Sequence, residues 1–148
     1  MSVASWTSKL RNPRDVAGAA HAYAARMADN EKVVINLATG LEDPERVTVA
    51  FLVGGAAAEQ GRDVVMFVTK EAVRLGLPGT AEGVACDGCP PLARLFEQYA
   101  DAGGQLFVCP ICFQARKLEE GELVENARIA GASPLWDWIG EGACVFSY

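Results

Sequence analysis

No apolar run in this sequence approaches the roughly 20 residues that a membrane-spanning helix needs, although 51% of its 148 residues are hydrophobic. A signal-peptide core is missing from the first thirty residues as well: residues 1–12 are polar, and residues 13–29 are broken up by Arg and Asp. The expectation is a cytoplasmic protein with no membrane contact. Positive charge is also scarce. Thirteen Lys and Arg face nineteen Asp and Glu, for a net charge of −6, and the basic residues are scattered, which argues against a nucleic-acid or anionic-membrane surface. There is a single histidine, His21, without partners at ligand spacing, so it reads as a packing or surface residue. The turn at Thr39-Gly40 lacks the glycine spacing of a phosphate loop and reads as an ordinary connection. No stretch has the composition of a linker. The chain therefore divides into an alanine-rich helical arm over residues 1–31 and one α/β domain over residues 32–148.

What the sequence does have is cysteine in an ordered pattern. Cys86-Asp87-Gly88-Cys89 and Cys109-Pro110-Ile111-Cys112 are two Cys-x-x-Cys pairs with nineteen residues between them. The fifth cysteine, Cys144, lies in the apolar run Ala143-Cys144-Val145-Phe146 and reads as core. In a cytoplasmic chain such cysteines point to thiol, metal or redox chemistry ahead of structural disulfides.

The scaffold is read from periodicity. Residues 32–38 (KVVINLA) and 63–69 (DVVMFVT) are continuous apolar runs of strand length, the pattern of strands buried on both faces of a parallel sheet. Between them, Asp43 is placed to cap a helix over residues 44–60 with Pro44 in its first turn. That helix is apolar nearly all round, so its outer side is expected to meet a second copy of the chain in a homo-oligomer. Residues 70–75 read as a short helix and residues 76–88 as a mobile loop carrying the first pair. Residues 90–104 (PPLARLFEQYADAGG) repeat Leu92, Leu95, Phe96 and Tyr99 at helical spacing, and residues 105–109 (QLFVC) form a strand. A short helix then follows the second pair. After an irregular stretch, with residues 128–130 extended, come a helix over residues 135–141 and a last strand over residues 143–148. Trp136 and Trp138 cannot both face inward from that helix. Together these elements predict a three-layer α/β sandwich with a mainly parallel sheet of about five strands flanked by helices.

This topology brings the cysteines toward one edge. A helix of about 13 residues climbs roughly 20 Å and a strand of about 5 residues returns roughly 17 Å. The loop before the helix and the tip of the strand after it thus share the carboxyl edge of the sheet, where all four sulfurs can converge. Two chemistries follow. The spacing falls within that of four-thiolate zinc sites, which would make Cys86, Cys89, Cys109 and Cys112 ligands in a structural or interaction module. Alternatively, Cys112 lies in the first turn of a helix beginning at Pro110, where backbone N–H groups favour a thiolate, with Arg116 one turn on as a cationic partner. Cys109 is then close enough for exchange, and Cys86 and Cys89 form a resolving pair or second acceptor.

The run Val108-Cys109-Pro110-Ile111-Cys112-Phe113-Gln114-Ala115-Arg116, together with Gly103-Gly104 before it and Gly142-Ala143-Cys144-Val145-Phe146-Ser147-Tyr148 at the end, resembles the DsrE/DsrF-like sulfur-relay family. The resemblance runs from about Lys32 onward. It implies a three-layer fold, oligomers, and a cysteine at the end of this strand that carries sulfur as a persulfide between donor and acceptor proteins, whether as a relay protein or as a sulfurtransferase. The motif falls on Cys109, Cys112 and Arg116, with no cofactor implied. The family pattern commonly has glycine after the arginine, where this chain has Lys117.

Overall fold

The computed structural model describes residues 31–148 and, of the first thirty, Gly18. The arm expected over residues 1–31, His21 included, lies outside the described residues except at those two positions. Residues Glu31–Tyr148 form one compact unit.

Five strands run parallel in the order β4-β3-β2-β1-β5: β1 (Lys32–Leu37), β2 (Asp63–Val68), β3 (Gln105–Val108), β4 (Ala127–Ile129) and β5 (Cys144–Ser147). The first four strands step outward in one direction. Their connections, α1 (Pro44–Glu59), a 3₁₀ segment (Lys70–Gly76), α2 (Leu92–Asp101) and α3 (Pro110–Ala115), supply residues to one large core on one face of the sheet. The last connection turns back past β1, so a right-handed crossover sets its helix, α4 (Ala132–Ile139), on the opposite face. There Leu135 and Trp138 pack on Val65, Phe107 and Ala130. Trp136, from the same helix, is 69% exposed, as the helical spacing requires.

Local chemistry explains most boundaries. Asp43 caps α1 by accepting from the Arg46 N–H at 3.0 Å, with Pro44 in the first turn. α2 begins two residues later than the sequence suggests, since a residue before proline is driven out of the helical region and Pro91 itself is extended (φ −55°, ψ 133°). α4 begins earlier than expected, at Ala132, which puts Pro134 inside its first turn where no intrahelical N–H is lost.

α1 presses Val47, Ala50, Phe51, Gly54 and Ala58 inward, but its outer stripe leaves Val49 and Leu52 40% and 44% exposed. Phe51 stacks on Phe96 and meets Tyr99 edge-on, joining α1 to α2. The fully buried Tyr99 donates its hydroxyl to the Gln105 carbonyl at 2.7 Å, tying α2 to the start of β3, and burial pushes its phenol pKa far up.

Candidate functional site

β3 ends where two neighbouring strands end. The Cys109 N–H donates to the Val68 carbonyl of β2 at 3.0 Å, and the Ala130 N–H beyond β4 donates to the Val108 carbonyl at 3.0 Å. Cys109 is the residue just before α3, Pro110 opens the helix, and Cys112 follows in its first turn. Both cysteines are free, half-buried thiols packed against the main core, while Ile111 between them is 77% exposed. The two candidate carriers therefore face a solvent-accessible rim at the carboxyl edge of the sheet.

Arg116 lies one turn beyond Cys112, as the spacing requires, but its hydrogen bonds run elsewhere than to a sulfur. Its Nε and Nη2 atoms each lie 2.7 Å from Glu71 Oε1, and Nη1 donates to the Cys112 carbonyl at 3.0 Å. A full carboxylate outcompetes a thiol for the guanidinium, and the carbonyl at the end of a short helix is an unsatisfied acceptor. Glu71 also accepts from Arg74 Nε at 3.0 Å. The hydrogen bonds from Arg116 first, and then from Arg74, hold the Glu71 carboxyl below its ordinary range.

Glu71 was not visible as a site residue, because it sits 45 positions from Arg116 and belongs to no motif. The signal that could have found it is its place just after the carboxyl end of an interior parallel strand. Gly40 makes room for it: a Cβ there would lie 2.8 Å from the backbone carbon and the Cβ of Glu71. The Thr39-Gly40 turn is thus filled by Glu71, consistent with its reading as an ordinary connection. A cavity of about 330 Å³ lies beside the pair, lined by Leu41, Glu42, Glu71, Arg74, Leu75 and Thr80.

Because the folded Glu71 pKa is depressed, its contribution is present above the unfolded value near 4.5 and is lost as pH falls through the lower folded value. Wild type is expected to unfold at a higher temperature than Glu71→Gln at pH 7, with the two curves converging well below pH 4.5. The gap is modest because the Glu71 side chain is 44% exposed. A gap that persists unchanged at low pH would contradict this role.

Among the described residues, the non-glycine residues with left-handed backbone are Lys70 (φ 48°) and Lys117 (φ 52°), the immediate neighbours of Glu71 and Arg116. Lys117 stands just past the end of α3, where a left-handed residue commonly closes a helix and glycine suits it best. Lys117→Gly is expected to raise stability by about 1 kcal/mol, the left-handed penalty less the extra freedom of an unfolded glycine. A thermal-unfolding midpoint that falls would refute it.

The other pair is placed differently. Cys86 and Cys89 are joined to each other as a disulfide within a loop of turns, and Cys86 Sγ lies 3.7 Å from Thr48 Oγ1 of α1. The expected convergence of four thiols does not occur. Among the described residues no three His, Cys, Asp or Glu side chains are grouped to hold a metal ion, so this arrangement does not fit a four-cysteine zinc centre. The loop takes Cys86 onto α1, whereas Cys109 and Cys112 are held on the core at the start of α3. Cys144, on edge strand β5, packs against that core but is only partly covered.

The profile of the DsrE/DsrF-like family matches residues 31–148. The chain belongs to the DsrE/DsrF-like family. Its members are typically sulfur-relay proteins. Over 112 residues the chain is 24% identical to the uncharacterised protein MJ0760 of Methanocaldococcus jannaschii; the match takes in 76% of this chain but only 40% of that relative. Among solved structures it resembles the YchN protein of Escherichia coli, with a TM-score of 0.66 and 20% identity over 79% of this chain and 98% of that one. It also resembles BT1422 of Bacteroides thetaiotaomicron, a conserved protein of unknown function, with a TM-score of 0.55 and 15% identity over 80% and 95% of the two chains. These structural likenesses establish a common fold. Among the described residues no helix is long and apolar enough to cross a membrane.

Proposed function

We infer that this DsrE/DsrF-like chain is a cysteine-based sulfur carrier, holding sulfane sulfur as a persulfide on Cys112 or Cys109. The observation that carries the reading is the pair of free, half-exposed thiols at the carboxyl end of β3, set on a turn that Glu71 and Arg116 clamp from two elements. The left-handed backbone of Lys70, next to Glu71, supports it, since such conformations collect where geometry serves function. In loading, the carrier thiolate attacks the outer sulfur of a donor persulfide. The donor's S–S bond breaks, its thiolate leaves, and a new S–S bond forms on the carrier with no net oxidation. Delivery to an acceptor thiolate is the same step reversed. Arg116 acts through the backbone of Cys112 as a positioning residue.

Donor and acceptor proteins would dock at the rim around Ile111. A cytoplasmic location suits thiols that must stay reduced. The exposed Val49 and Leu52 stripe of α1 suits contact with a second copy of the chain, so Leu52→Glu is expected to lower the mass found by sedimentation; a monomeric wild type would exclude the oligomer. The test of the carrier itself is the intact mass after exposure to a small persulfide. One added sulfur atom, removed by reductant and mapped to residues 109–112, is the expected result; an unreactive pair would refute it.

A further inference from the structure

We propose that Cys86 and Cys89 form a thiol–disulfide exchange site separate from the carrier thiols, and that its reaction partner is a dithiol. The central observation is that each sulfur has a hydrogen-bond acceptor in place which the disulfide, having no S–H, cannot use. Cys86 Sγ is 3.7 Å from Thr48 Oγ1, and Cys89 Sγ is 3.9 Å from the Asp87 carbonyl. The Thr48 hydroxyl gives its own hydrogen to the Pro44 carbonyl at 2.8 Å, so a lone pair remains for an incoming thiol. Each thiol of the reduced form thus has an oxygen close at hand once the two sulfurs separate.

Three further features suit a bond that opens and closes. It spans two intervening residues, and a ring this small removes little freedom from the unfolded chain, so it contributes little as a structural clamp. The loop keeps its shape by other means: the Cys89 N–H donates to the Cys86 carbonyl at 3.0 Å, and the Leu92 N–H donates to the Val84 carbonyl at 2.9 Å. The pair is also reachable from one side: both cysteines are half-buried, with Cys86 against Thr48, but Asp87 and Gly88 between them are exposed and nothing lies within 4 Å of where a Gly88 side chain would begin.

The exchange balances without another reactant. One partner thiolate attacks a sulfur of the pair, the Cys86–Cys89 bond breaks and the displaced thiolate takes a proton. The partner's second thiolate then attacks the partner's own sulfur in the mixed disulfide, the bond between the two proteins breaks, and the chain's second thiolate leaves and takes a proton. Two electrons and two protons have moved to the chain, and the partner leaves as a disulfide; the reverse closes the bond again. The proposal does not depend on the sulfur-carrier reading, because it concerns different sulfurs.

The test equilibrates the full chain, purified without reductant, in dithiothreitol of graded reduced-to-oxidised ratio, followed by alkylation without denaturant and peptide mass mapping. Cys86 and Cys89 are expected to become labelled together across one transition, while the unfolding temperature moves by less than about 4 °C. Thr48→Val, which removes the acceptor for the Cys86 thiol, is expected to shift that transition several-fold toward the disulfide. Labelling only after denaturation, unfolding on reduction, or a pair already labelled before any reductant would each overturn the proposal. An unmoved transition in Thr48→Val would overturn the role given to Thr48. Persulfide loading at Cys109 or Cys112 is read in the same digests, so failure at one site is distinguishable from failure at the other.

Discussion

Protein in which Cys109 and Cys112 are both serine is expected to take up no sulfur from a small persulfide, leaving only the background of chain already blocked with iodoacetamide. Serine is close in size to cysteine, and both thiols are only partly buried, so the fold should survive with an unfolding temperature within a few degrees of wild type. What is lost is the nucleophile: a serine hydroxyl is not ionised at neutral pH and forms no persulfide. The single variants divide the roles. If Cys112→Ser falls to background and Cys109→Ser retains loading, Cys112 is the carrier and Cys109 its exchange partner; the opposite pattern reverses the assignment. Cys144→Ser serves as control, lying on β5 across β1 and β2 from β3. Undiminished loading in the double variant would end the carrier reading for this site.

The largest effect on stability is expected from a single methyl group. Gly104→Ala would place a Cβ inside the van der Waals envelope of the Tyr99 ring, against Cε2 and Cζ. The ring has nowhere to go. It is fully buried, meets Phe51 edge-on at 5.6 Å, and is fixed through its hydroxyl to the Gln105 carbonyl. Relief requires either moving the turn between α2 and β3 or breaking that hydrogen bond, at a cost of about 3 kcal/mol or more. For a domain of this size that corresponds to a fall in unfolding temperature of roughly 10 °C. Gly103→Ala is the comparison: Gly103 has φ +88° with open space around it, so only the backbone penalty of about 1 kcal/mol applies. Equal losses in the two variants would show that the Tyr99 contact is not what constrains Gly104.

Much of the scaffold and part of the site are written locally in the chain. Apolar runs without alternation specify β1 and β2 as interior parallel strands, Asp43 and Pro44 start α1, and the spacing of Leu92, Leu95 and Tyr99 marks α2. The sequence Cys109-Pro110-Ile111-Cys112 sets one thiol before a helix and one in its first turn, because proline suits that turn and the strand must end there. These features depend on neighbours within a few residues, where periodicity and capping act. Long-range partnership is another matter. That β5 returns beside β1, that Glu71 takes the guanidinium of Arg116, and that Gly40 must lack a side chain to admit Glu71 depend on segments far apart in the chain. The two cysteine pairs show the same division. Their identical spacing suggested one site with four ligands, but the loop after the 3₁₀ segment places Cys86 on α1 while β3 and α3 hold Cys109 and Cys112 on the core. Residue type and spacing determined which groups can react; only the packing of distant elements decided which of them meet, since chain direction through a loop carries no local signal.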